Sequence, residues 1–62
     1  MLEEYPDLLT VEEACEALRM GETAMYRLLR SGRLKAFRNG TVWRIPKLAI
    51  QEYILNRAQL RK

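Results

Sequence analysis

Apolar residues recur along the chain in three patterns separated by two breaks. Val11, Ala14, Cys15 and Leu18 fall at helical spacing on one face. Thr10 precedes them, and Glu13 follows three positions later. This is the capping-box spacing, in which the Thr hydroxyl accepts from the Glu13 amide and the Glu13 carboxylate accepts from the Thr10 amide. Leu9 and Ala14 occupy the hydrophobic-staple positions around that cap. The spacing therefore predicts a helix starting at Thr10. Arg19-Met20-Gly21 breaks it. A second helix is expected from about Glu22 to Arg30. Gly21 is its N-cap, Glu22 suits the dipole at its start, and Gly32 is free to take the left-handed conformation after its end. At about 100° per residue, Met25, Leu28 and Leu29 share the buried face. Glu22, Thr23, Tyr26, Arg27 and Arg30 lie opposite.

The pattern then changes period. Leu34 to Arg38 and Thr41 to Ile45 flank Asn39-Gly40, the preferred pair for a two-residue type I′ hairpin turn. That turn would pair Arg38 with Thr41, Phe37 with Val42, Ala36 with Trp43, Lys35 with Arg44 and Leu34 with Ile45. Leu34, Ala36, Trp43 and Ile45 then form a core face. Lys35, Phe37, Val42 and Arg44 form the other. On that second face Phe37 and Val42 are either covered by Leu8 and the preceding residues or free to meet a partner. Pro46 suits a helix entry. A third helix is expected over residues 47–60, with Ile50, Tyr53, Ile54 and Arg57 on one face, fraying into Arg61-Lys62. Leu48 and Leu55 lie away from that face, as scattered surface leucines or as a contact with a second copy. Residues 1–7 read as a short tail, with Tyr5-Pro6 extended or turned. Residues 8–60 read as one domain.

The expected fold is thus mainly α with a small β-hairpin, in the order helix, turn, helix, hairpin, helix. Two short helices joined by a turn, the second with a free polar and basic face, form a helix-turn-helix, and the hairpin is placed as a wing. In such a winged helix-turn-helix the second helix enters the major groove of double-stranded DNA. Thr23 can meet a thymine methyl or a phosphate, Tyr26 a phosphate, and Arg27 and Arg30 phosphates or guanine. Glu22 either satisfies the helix start or accepts from a cytosine amino group. At the wing, Arg38, Asn39, Gly40, Thr41 and Arg44 can approach the backbone or a minor groove.

Charge fits either a polyanionic partner or a solvated surface on which acidic and basic parts meet. The net charge of +3 hides an uneven distribution. Residues 1–16 hold six acids and no base, whereas residues 17–62 hold eleven bases and two acids. Composition narrows the alternatives. A chain of 62 residues forms a single domain and leaves no room for a deep substrate cavity. It has no His and one Cys. This removes the commonest general base near neutral pH, an internal disulfide and a Cys-rich zinc site. Cys15, within an apolar stripe, reads as a structural thiol. No phosphate loop, metal-ligand cluster or nucleophile–His pair is visible, so neither an enzyme nor a cofactor or metal site is expected. No run approaches the ~20 apolar residues of a membrane span, and the acidic Met1-Leu2-Glu3-Glu4 start is unlike a signal peptide. A cytoplasmic protein is expected.

Three runs carry a resemblance: Leu8-Leu9-Thr10-Val11-Glu12-Glu13-Ala14, Met25 through Leu34, and Phe37-Arg38 with Trp43-Arg44-Ile45-Pro46-Lys47. Together they make residues 8–57 similar to the excisionase-type DNA-binding domain of the MerR-like winged helix-turn-helix superfamily. The resemblance implies a small DNA-binding protein, either a recombination directionality factor of a mobile element or a transcription regulator. It implies a recognition helix beginning near Glu22 and a wing over residues 38–44. The chain differs from the family at Arg19, where Gly is frequent, at Gly21, where Ser is frequent, and at Glu22, where a basic residue is frequent. The implied partners are double-stranded DNA, a second copy of the chain and an integrase. The long dimerisation helix and effector domain of full-length MerR-type regulators have no place after Lys62, so no small-molecule effector is expected. A protein-interaction module on the same fold is the alternative, with Phe37, Val42, Leu48, Leu55 and the acidic segment as its contacts. RNA binding is a weaker reading, because the hairpin lacks an aromatic-rich stacking surface.

Overall fold

In the computed structural model, which describes residues 2–59, the elements run β1 (Leu8–Leu9), α1 (Val11–Leu18), α2 (Glu22–Ser31), β2 (Phe37–Asn39), β3 (Val42–Pro46) and α3 (Lys47–Arg57). The three strands form an antiparallel sheet in the order β1-β3-β2. Three helices and a small sheet of this connectivity make a winged helix-turn-helix.

The α1 start follows its sequence signature. The Glu13 amide donates to the Thr10 hydroxyl at 3.1 Å, and the Thr10 amide donates to Glu13 Oε1 at 3.0 Å. Leu9 and Ala14, on either side of the cap, are both fully buried. At the other end Arg19 takes a left-handed conformation, φ 55° and ψ 49°. The Met20 amide donates back to the Cys15 carbonyl and the Arg19 amide to the Glu16 carbonyl, a Schellman closure. This closure reverses the chain into α2 within three residues. Gly32, with φ 79°, ends α2 in the left-handed conformation expected of it.

The sheet differs from expectation in two respects. Leu8 and Leu9 form a third strand opposite Pro46 and Ile45. The hairpin register is also displaced: Asn39 faces Val42, Arg38 faces Trp43 and Phe37 faces Arg44. The turn residues are therefore Gly40 and Thr41, and only Gly40 has a positive φ, 72°. A type I′ turn centred on Asn39-Gly40 would need two left-handed residues, whereas a glycine in the first turn position supplies the reversal alone. Asn39 stays in the strand. The displacement moves each pair by two residues, so every side chain keeps its expected face. Leu34, expected in a strand, enters the core from the connecting loop and is 1% exposed.

The core is Leu2, Leu9, Ala14, Met25, Leu29, Leu34, Ile45 and Ile50, drawn from the segment before α1, all three helices, the loop before the hairpin and β3. Burial of each large aliphatic side chain contributes about 1.5–3 kcal/mol, and this holds α2 and the hairpin in a fixed relation. Residues 2–7, read from sequence as a tail, pack onto the domain. Leu2 is buried, the Tyr5 hydroxyl donates to Glu16 at 2.8 Å, and Lys47 Nζ donates to the Tyr5 carbonyl at 3.1 Å. The Lys47 amide donates to the Asp7 carbonyl at 2.7 Å, tying this segment to the start of α3. Helix α3 ends at Arg57, with Gln59 at φ 57°, earlier than the expected end at residue 60. Residue 60, the expected last helical position, and Arg61-Lys62, where the helix was expected to fray, lie outside the described residues. No helix among the described residues is long and apolar enough to cross a membrane.

Candidate nucleic-acid interface

Helix α2 is amphipathic, and its two buried residues, Met25 and Leu29, fix its orientation. Thr23, Arg27 and Arg30, spaced four and three apart, form an exposed stripe on the far side. Glu22 and Tyr26 lie on one flank, one turn apart. They face a cleft of about 330 Å³ bounded by Thr10, Val11 and Glu12 of α1 and its cap and by Thr41, Val42 and Trp43 of the hairpin. The helix start and the wing expected from sequence therefore meet across one depression.

The hairpin presents two different faces. Trp43 is half-buried on the inner face, beside Glu22 and Tyr26. The Arg38 guanidinium stands over its ring, 5.6 Å from the centroid. Such a contact contributes about 0.5–1 kcal/mol at an exposed site and restricts a flexible cation to one direction. Arg44 alternates with Trp43 and faces Phe37 across the sheet, so it belongs to the outer face. The two wing arginines do not share a surface. Phe37, Val42 and Leu8 are 48%, 47% and 46% exposed, so the residues ahead of α1 leave that outer face open. Asn39, Gly40 and Thr41 are exposed at the tip. Leu48 is exposed as well, and Leu55 is half-buried.

Charge is distributed unevenly around α2. The wing-side cleft is lined by Glu12 and Glu22 and by no basic residue, and Arg38 stands over Trp43 on its wall. Cys15 registers the same field. Burial first, and then the charges of Glu22 and Glu12, raise its thiol pKa above the ordinary value. The opposite flank of α2 has its own cleft, about 260 Å³, lined by Met20, Ala24, Arg27, Leu28, Ser31, Arg33 and Tyr53. The structure puts Arg33, and Tyr53 of α3, beside Arg27. The cue in the sequence is that Gly32 ends α2 and turns the chain at once, leaving Arg33 at the end of the helix. Among the described residues no group of three or more His, Cys, Asp or Glu side chains is arranged to hold a metal ion.

The comparisons with known proteins agree with a helix-turn-helix fold. A family model described as a helix-turn-helix domain matches residues 8–58. A protein named a probable excisionase, from Saccharopolyspora erythraea, is 48% identical over 46 residues, covering 74% of this chain and 47% of that protein. The chain thus spans about half the length of that relative. No solved structure matches.

Proposed function

The chain belongs to the helix-turn-helix domain family, and from that membership we propose that it binds double-stranded DNA with α2 in the major groove and the inner face of the wing against the adjoining backbone or minor groove. The observation that carries this reading is the meeting of two surfaces. The exposed stripe of Thr23, Arg27 and Arg30 runs beside a cleft whose opposite wall is Trp43, with Arg38 held over it. Thr23 and Arg30 on the exposed stripe are placed for base edges, Tyr26 for a phosphate on the wing side, and Glu22 for a cytosine amino group. Asn39, Gly40 and Thr41 allow close approach at the wing tip. Arg44 takes no part in this surface.

A single recognition helix reads only a few base pairs, so specific occupancy requires repeated sites, cooperative neighbours or a dimer. The likeness to a probable excisionase supports a role in setting the direction of recombination beside an integrase; a small transcription regulator is the other role for the same surface. The test is fluorescence anisotropy with a labelled random-sequence duplex pool. Arg27→Ala and Arg38→Ala are each expected to weaken binding while leaving the circular dichroism spectrum unchanged. Retained affinity in both variants removes the proposed surface. A protein-interaction module on this fold draws on the exposed Leu8, Phe37 and Val42. It predicts a stable protein complex and no salt-sensitive binding of duplex, so the same assay separates the two readings.

A further inference from the structure

Arg27 and Arg33 line one cleft, on the flank of α2 turned away from the wing, beside Leu28 and the ring of Tyr53. Among the described residues neither guanidinium has an acidic partner. Two cationic side chains bordering one cleft draw an anion to it. The C-terminal end of α2 by itself disfavours an anion, but its dipole amounts to only about half a negative charge against two full positive ones.

The geometry points to this cleft as the seat of a DNA phosphodiester, on the strand across the groove from the wing. The inference rests on the placement of α2 in the major groove. A helix with its side chains is about 10–12 Å across and the groove about 12 Å wide, so a seated helix has a sugar-phosphate strand along each flank. Arg38 serves the wing flank, and Arg27 with Arg33 serves the other. The apolar surface of Leu28 and Tyr53 suits the deoxyribose face between phosphates. Arg27 thereby becomes a positioning contact that carries no sequence information, and base discrimination falls to Thr23 and Arg30.

The test begins with a duplex recovered by the wild-type chain from a random pool. Affinity for that duplex and for its single-base variants is then measured across a salt series for wild type, Arg27→Ala, Arg33→Ala and Arg33→Lys. Each alanine variant is expected to weaken all duplexes by the same factor and to make the log–log salt slope shallower by about one. Arg33→Lys, which keeps the charge, restores the slope. An alanine variant with an unchanged slope, or with base preference relaxed at one position, overturns the assignment while duplex binding stands. A wild-type chain that recovers no duplex overturns the groove placement and this assignment with it.

Discussion

Arg19 occupies the one position in the helix-turn-helix connection where the backbone is left-handed, with φ 55° and ψ 49°. For an L-residue this conformation costs about 1–2 kcal/mol, because Cβ crowds the following carbonyl. Glycine removes that cost but gains about 0.4–1 kcal/mol of conformational freedom in the unfolded chain. The Arg19 charge also lies beyond the C-terminal end of α1, where a cation is favoured by about 0.3–1 kcal/mol. The informative comparison is therefore Arg19→Gly against Arg19→Ala. Both lose the charge, and only the alanine keeps the strain. The expected difference is about 0.5–1 kcal/mol in favour of glycine. In a domain of this size that is about 2–8 °C in melting temperature. Thermal and urea unfolding followed by circular dichroism measure it. A glycine variant no more stable than the alanine variant would falsify the claim that this turn is strained.

Three further outcomes follow from the same structure. Thr10→Ala removes half of the α1 capping box and should cost about 1 kcal/mol in urea denaturation; an unchanged midpoint refutes the role of the cap. Arg38→Ala should weaken duplex binding more than Arg44→Ala, because only Arg38 lies on the inner face of the hairpin; equal losses contradict that assignment. The raised Cys15 pKa predicts slower iodoacetamide alkylation in the folded chain than in the urea-unfolded chain at about pH 8.5. Its contribution to stability is present below the ordinary thiol range and is lost as pH rises through the folded value. Equal alkylation rates would count against a shielded thiol.

What the sequence made legible was local. The Thr10–Glu13 cap, the left-handed Gly32 and the helical stripes of α1 and α2 depend on neighbours within about a turn. The division of Arg38 from Arg44 was implicit in strand alternation, and it survives a register displaced by two residues. Other features depend on distant contacts. Leu8-Leu9 is too short to show a period, and its strand exists because β3 offers partners 36 to 38 positions away. The Asn39-Gly40 pair indicated a turn, but which two residues sit at its apex depends on how the strands settle against the core. A helical wheel placed Arg27 opposite the core, but it could not show that Arg33 and Tyr53 join it beside α3. The packing of residues 2–7 draws on Lys47, some 40 positions away, as well as on Leu2 burial and Glu16.

In the proposed binding mode, α2 and the inner face of the wing act as one surface for duplex DNA. Equilibrium binding of the intact chain to its selected duplex, measured over a range of salt concentrations, tests this most directly. If about five to seven phosphates are neutralised, log affinity falls against log salt with a slope of about −4.5 to −6.3. A slope near zero would contradict the account.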